Sequence, residues 1–144
     1  MSFNAFQLFE EALSEWQASG DSTRDPGKTH ARANDAVSRA AGNLPANRDP
    51  AMLWFTDALG RADRRHFVVA VLRHARRVPE PLVTALLRAG LVDAEGVQPF
   101  VQPVLAAFGA ERVRTELETL AAEGTEAERK AAAQFLARNV KAPG

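Results

Sequence analysis

Cysteine is absent from the 144 residues, which excludes disulfides, thiolate nucleophiles and cysteine-held zinc or iron–sulfur sites. Isoleucine and tyrosine are also absent, while alanine occurs 28 times. A β-sheet draws on β-branched and aromatic side chains, so this composition favours helix. Neither charge sign is in excess, with 18 Lys plus Arg against 18 Asp plus Glu, which argues against a uniform positive field as the basis of binding. No run of 18 apolar residues occurs, so no bilayer-spanning helix and no membrane partner are expected. Met1-Ser2-Phe3-Asn4 brings no basic stretch before Glu10 and Glu11, so a secretory signal is not expected and the expected location is cytoplasmic. Arginine outnumbers lysine 15 to 3, which together with the alanine content points to a GC-rich, bacterial genome.

What is present reads as one water-soluble domain over residues 1–144, with 46% apolar and 25% charged residues. At 100° per residue, Phe6, Phe9, Ala12, Leu13 and Trp16 share one arc of a helix over residues 3–19, expected to stop near Gly20. Gly20 to Lys28 is dense in turn formers and reads as loop, and an alanine-rich helix is expected from Thr29 to Ala41. Together these form an N-terminal cap, residues 1–43. Phe3, Phe6, Phe9 and Trp16 are expected to cover apolar surface, with Trp54 and Phe55 receiving them. Asp49 as N-cap and Pro50 at the first helical position mark the next boundary.

Six further helices are expected, over 50–59, 63–77, 80–89, 97–108, 110–123 and 126–140, with Gly60, Pro79, Gly90, Gly109 and Gly124 between or near their ends. Thr125 with Glu128 forms a capping box. Pro103 is expected to kink the fourth of these helices or delay its start. Alternate helices repeat. Arg65, Phe67, Val68, Val71 and Leu72 align with Gln98, Phe100, Val101, Val104 and Leu105 at a spacing of 33, then with Arg129, Ala131, Ala132, Phe135 and Leu136 at 31. Ala51, Phe55 and Ala58 align with Leu82, Leu86 and Ala89, then with Val113, Leu117 and Leu120, each at 31. The pairs are 50–77, 80–108 and 110–140.

The window Arg129 to Leu136 resembles the R-x-x-A-A-x-x-L core of the second helix in HEAT-like, or armadillo-like, α-solenoids. Arg65 to Leu72 is a bulkier version, the middle pair carries Gln98 at the arginine position and two prolines, and Glu128 stands where that family usually has an aliphatic residue. The resemblance covers about residues 50–140. It implies an all-α, right-handed α-α superhelix of HEAT-like helical hairpins behind the N-terminal cap, in which stacked pairs bury one continuous core and the second helices line a concave face.

Motifs for chemistry are sparse. Asp25-Pro26-Gly27-Lys28-Thr29 ends like a phosphate-binding loop, but Ser22 occupies the place of the required first glycine and helix precedes it, so no nucleotide site is expected. His66 and His74 lie about 12 Å apart along a helix and His30 is remote, so no metal is expected. No nucleophile elbow or paired acidic motif occurs, so no enzyme and no cofactor are expected. Residues 51–90 hold seven arginines against Asp57, Asp63 and Glu80, a net of +4. With Phe67, Val68, Val71, Leu72 and Ala75 inward, His66, Arg73, Arg76 and Arg77 turn outward. The repeat-to-repeat positive charge that would follow a phosphate backbone is missing, since Arg73 becomes Ala106 and Ala137. Some HEAT-like proteins are DNA glycosylases, but neither Trp16 nor Trp54 falls on a repeat's second helix. The expected function is therefore a non-catalytic protein-binding module, a small scaffold or antidote-type binder, with His66, Arg73, Arg77, Gln102 and Lys130 contacting an acidic protein. The alternatives are a nucleic-acid-binding or repair protein, and an enzyme whose catalytic groups are scattered in sequence.

Overall fold

A computed structural model describes residues 5–21, 26–93 and 96–139, and within them the side chains other than those of 5, 19–21, 26–30, 32 and 139. The described residues form helices and turns with no strand. They divide into two compact units, Met1–Pro79 and Glu80–Gly144.

The first unit comprises α1 (Ala5–Asp21), α2 (Pro26–Gly42), α3 (Met52–Leu59) and α4 (Arg65–Ala75). α1 packs on α2, and α4 packs on both α2 and α3. Phe9, Leu13, Phe55 and Phe67 are fully buried. The Phe9 ring lies 5.3 Å from Trp54 and 4.7 Å from Phe55, and Trp16 lies 5.5 Å from Phe67. Phe9 and Trp16 thus meet apolar rings of the following helices, whereas Phe6 stays 44% exposed and Phe3 lies outside the described residues. A buried indole N–H needs an acceptor, and Glu10 supplies it. Its Oε1 accepts from Trp54 Nε1 at 3.0 Å and from Arg64 Nη1 at 2.6 Å. Burial pushes the Glu10 carboxyl up, but these two donors and the nearby charges of Arg64 and Arg61 outweigh it and hold the carboxyl below its usual range.

Two expected boundaries are corrected. α1 runs through Gly20 to Asp21, because one glycine in a last turn removes only about 1 kcal/mol of helix propensity. α2 starts at Pro26, inside the expected loop, because proline's fixed φ and missing N–H suit a first helical turn. At the third helix Asp49 Oδ1 accepts the Ala51 N–H at 2.9 Å. The chain then tightens through Met52 N–H to Asp49 O and Leu53 N–H to Pro50 O before regular α-helix begins.

The second unit opens with a 3-10 turn, Glu80–Leu82, followed by α5 (Val83–Val92), α6 (Gln98–Phe108), α7 (Ala110–Glu123) and α8 (Glu126–Asn139). α6 begins at Gln98 despite Pro103, which is buried within it, so the late start does not occur. α5 packs on α6, α6 on α7, α7 on α8, and α8 returns onto α5. Gly90 lets α5 and α6 close: a Cβ there would sit 2.7 Å from Phe100 Cβ and 3.0 Å from Val97 Cγ2. Gly109 alone joins α6 to α7 at φ 88° and ψ 168°, a conformation open essentially to glycine only.

The capping box is formed as expected. Glu128 N–H donates to Thr125 Oγ1 at 3.2 Å, and Thr125 N–H to Glu128 Oε1 at 2.9 Å. Glu128 is only 6% exposed because Arg88 on α5 grips it with two hydrogen bonds of 2.8 and 3.0 Å. The Arg88 hydrogen bonds, aided by Thr125 and opposed by burial, hold the Glu128 carboxyl below its usual 4.5. A carboxyl whose folded value is lowered contributes stability that is full above the unfolded value and lost as pH falls through the folded one. Wild type should therefore lose stability more steeply below about pH 5 than Glu128→Gln. At neutral pH that variant should be weaker by roughly 1–2 kcal/mol, because Arg88 and the Thr125 N–H lose a charged acceptor. Urea melts at pH 7 and pH 3.5 check this: parallel acid limbs would show that the pair adds no proton linkage.

Candidate functional site

α4 buries Phe67, Val68, Val71 and Leu72, so its helical period sends Arg73 and His74 outward, and both are exposed. Arg65 and Val69 are buried as well, which narrows the polar face to the C-terminal end of the helix. There Arg76 takes the left-handed conformation, φ 55° and ψ 34°, with its N–H directed to Arg73 O at 3.3 Å. Glycine adopts this cap without strain, whereas another residue costs on the order of 1 kcal/mol. Arg77 follows, exposed, with Nη2 donating to Pro45 O at 2.7 Å. That bond ties the helix end to the segment carrying exposed Arg48.

Three other arginines of this unit are paired. Arg39 pairs with Glu15 and with Asp35, Arg61 with Asp57, and Arg64 with Glu10. Among the described residues, no carboxylate forms an ion pair with Arg73, Arg76 or Arg77. Three exposed guanidinium groups within five residues thus face solvent without a counter-charge among the described residues. His66, one of the expected contacts, is half-buried two turns before Arg73. Gln102 and Lys130 belong to the second unit, on α6 and α8, and are exposed. Gln102 Nε2 reaches Gln98 Oε1 at 3.5 Å, a long contact. Of the five expected contact residues, Arg73 and Arg77 share one helix end, and Arg76 completes that group.

The second unit also contains a cleft of about 330 Å³ that no motif announced. One wall is the end of α5 and the start of α6, with Gly90, Leu91, Asp93, Gly96, Val97 and Gln98; the other is one face of α8, with Ala131, Gln134, Phe135 and Arg138. The only sequence signal for it is the i, i+3, i+4, i+7 spacing of those four α8 residues, which marks a face but not what stands opposite.

Elsewhere in the second unit charges pair. Arg112 binds Glu80 and Glu116, the latter at 3.1 Å, and lies 5.1 Å over the Phe108 ring. The hydrogen bond from Arg112 holds the Glu80 carboxyl below its usual range. Arg114 reaches Glu118 at 3.8 Å, an i, i+4 pair like Arg112 with Glu116. Among the described residues no three His, Cys, Asp or Glu side chains converge as a metal site, and no helix is long and apolar enough to cross a membrane. Pro26 and Gly27 belong to the first turn of α2, while the side chains of Lys28, Thr29 and His30 lie outside the described residues.

The fold defines an all-α chain. No protein-family model, curated protein or solved structure matches it.

Proposed function

We propose that this chain is a non-catalytic protein-binding module that engages an acidic segment of another protein through Arg73, Arg76 and Arg77. The supporting observation is the group of three exposed guanidinium groups at the end of α4 with no ion-pair partner among the described residues, one of them in a backbone conformation that favours glycine. Guanidinium groups bind carboxylates in a paired, planar geometry, and complementary charge accelerates association. His66, on the same helix, is a secondary contact in this reading.

The test uses a fluorescein-labelled peptide of alternating glutamate and glycine, followed by anisotropy in low salt, with Arg73→Glu/Arg77→Glu as the variant. Saturable binding that weakens about tenfold or more in the variant is the expected result. A labelled DNA duplex is the competing probe. Tighter binding to DNA than to the peptide, with affinity falling linearly in log salt, would replace the protein-partner reading with a nucleic-acid one. Arg76→Gly separates binding from folding: stability should rise by about 1 kcal/mol as the left-handed cap relaxes, while peptide affinity falls about two- to fivefold, the worth of one exposed ion pair.

The HEAT-like superhelix is part of the same proposal. Its support is the spacing of 31 to 33 residues and the succession of short helices joined by brief turns. The return of α8 onto α5 is a contact that a stacked array does not require and that a closed four-helix arrangement does. An experimental structure in which a single rotation and shift superposes α5–α6 on α7–α8 would establish the repeat; failure of that superposition would dismiss it.

A further inference from the structure

The cleft of the second unit joins partly covered apolar side chains to one unpaired cation. Leu91 and Val97 on the first wall and Phe135 on the second are each half-buried, so a ligand that takes them out of water gains from their burial. At about 330 Å³ the space lies at the lower end of the range of about 300–1,000 Å³ for small-molecule sites. It suits a residue-sized ligand and is too small for a nucleotide cofactor.

The two charged residues of the lining are not equivalent. Asp93 already has an interaction partner, whereas the Arg138 guanidinium forms no ion pair among the described residues. Side chains on an α-helix lean toward its N-terminus, which sets Arg138 over the turn of α8 that carries Gln134 and Phe135. Its planar fork of N–H donors matches a carboxylate. A cation, by contrast, would have to displace the existing partner of Asp93. The ligand that the cleft selects is therefore an anion with an apolar body.

We propose that this cleft binds a small apolar monocarboxylate, an aryl- or alkyl-substituted acid, with its carboxylate at Arg138 and its body among Leu91, Val97 and Phe135. Gln98 and Gln134, on opposite walls, add amide donors at the polar margin. The site is separate from the arginines of α4 and does not depend on their role.

The experiment titrates the 15N-labelled full chain with 3-phenylpropionate at millimolar concentrations, following the amide signals of Gly90, Gly96 and Phe135. Saturable shifts at these amides are expected. 3-Phenylpropanamide keeps the apolar body without the charge and should bind about tenfold more weakly. 3-Phenylpropylamine carries the opposite charge and should bind more weakly still. Arg138→Gln, at an exposed position, should lower the affinity for the acid to that for the amide, while the amide's own affinity and the circular dichroism stay unchanged. Absence of saturable shifts with the acid, or an amine that binds as tightly as the acid, would overturn the proposal. So would an Arg138→Gln variant that still prefers the acid to the amide.

Discussion

Phe9→Ala is expected to lower the unfolding free energy of the first unit by about 3–5 kcal/mol, the cost of deleting a buried aromatic ring and leaving its cavity. Phe9 is fully buried against Trp54 and Phe55, rings that lie more than forty residues further along the chain. Its removal takes away the surface on which α1 meets α3. It also loosens the neighbouring Glu10, which receives hydrogen bonds from Trp54 and Arg64. Trp16 and Trp54 both belong to this unit, so a urea titration followed by tryptophan fluorescence reports on it directly. Phe6→Ala, at a ring that is nearly half exposed, is the control and should cost less than about 1 kcal/mol. Equal midpoints for Phe9→Ala and wild type would refute the buried aromatic cluster.

Gly90→Val is the second large effect. The added Cβ would stand 2.7 Å from Phe100 Cβ and 3.0 Å from its Cγ. Phe100 is itself fully buried, and its Cβ is fixed to the backbone, so α5 and α6 must separate. Overpacking of this kind costs about 1–3 kcal/mol, with the upper end expected because valine adds two further methyl groups. Gly42 has no heavy atom within 4 Å of a built Cβ. Gly42→Ala should therefore be neutral, or gain up to about 1 kcal/mol from helix propensity. Circular dichroism is the appropriate probe, since the second unit contains no tryptophan. Equal losses at Gly90 and Gly42 would mean that the α5–α6 approach is not close.

The helices were legible where the signals were local. The expected range 110–123 coincides with α7, because Gly109 and Gly124 bracket a run whose apolar residues Val113, Leu117 and Leu120 keep one face. Thr125 and Glu128 announced their cap from a spacing of three. The exposure of Arg73 also followed from periodicity, since the buried face of α4 leaves it one direction to point, whereas Arg77 lies past the end of the helix, which stops two residues short of the expected 77. What the sequence could not show depends on distant partners. Nothing near Glu128 reveals that Arg88, forty residues earlier, closes over it and makes a buried carboxylate tolerable. The left-handed turn at Arg76 carries no glycine to announce it. The cleft was hidden for the same reason, because its two walls come together only when α8 packs on α5. The 31-residue spacing does not specify which helix each helix would pack against.

Gly109 has one more practical implication. A joint of one residue has no slack, so a reporter or peptide tag spliced between α6 and α7 would have to break helical hydrogen bonds to fit. The stretch from Asn43 to Pro50 is mostly solvent-facing and spans two tight bends. Foreign sequence inserted there should be accommodated far more readily, which makes it the natural point for labels in any of the measurements above.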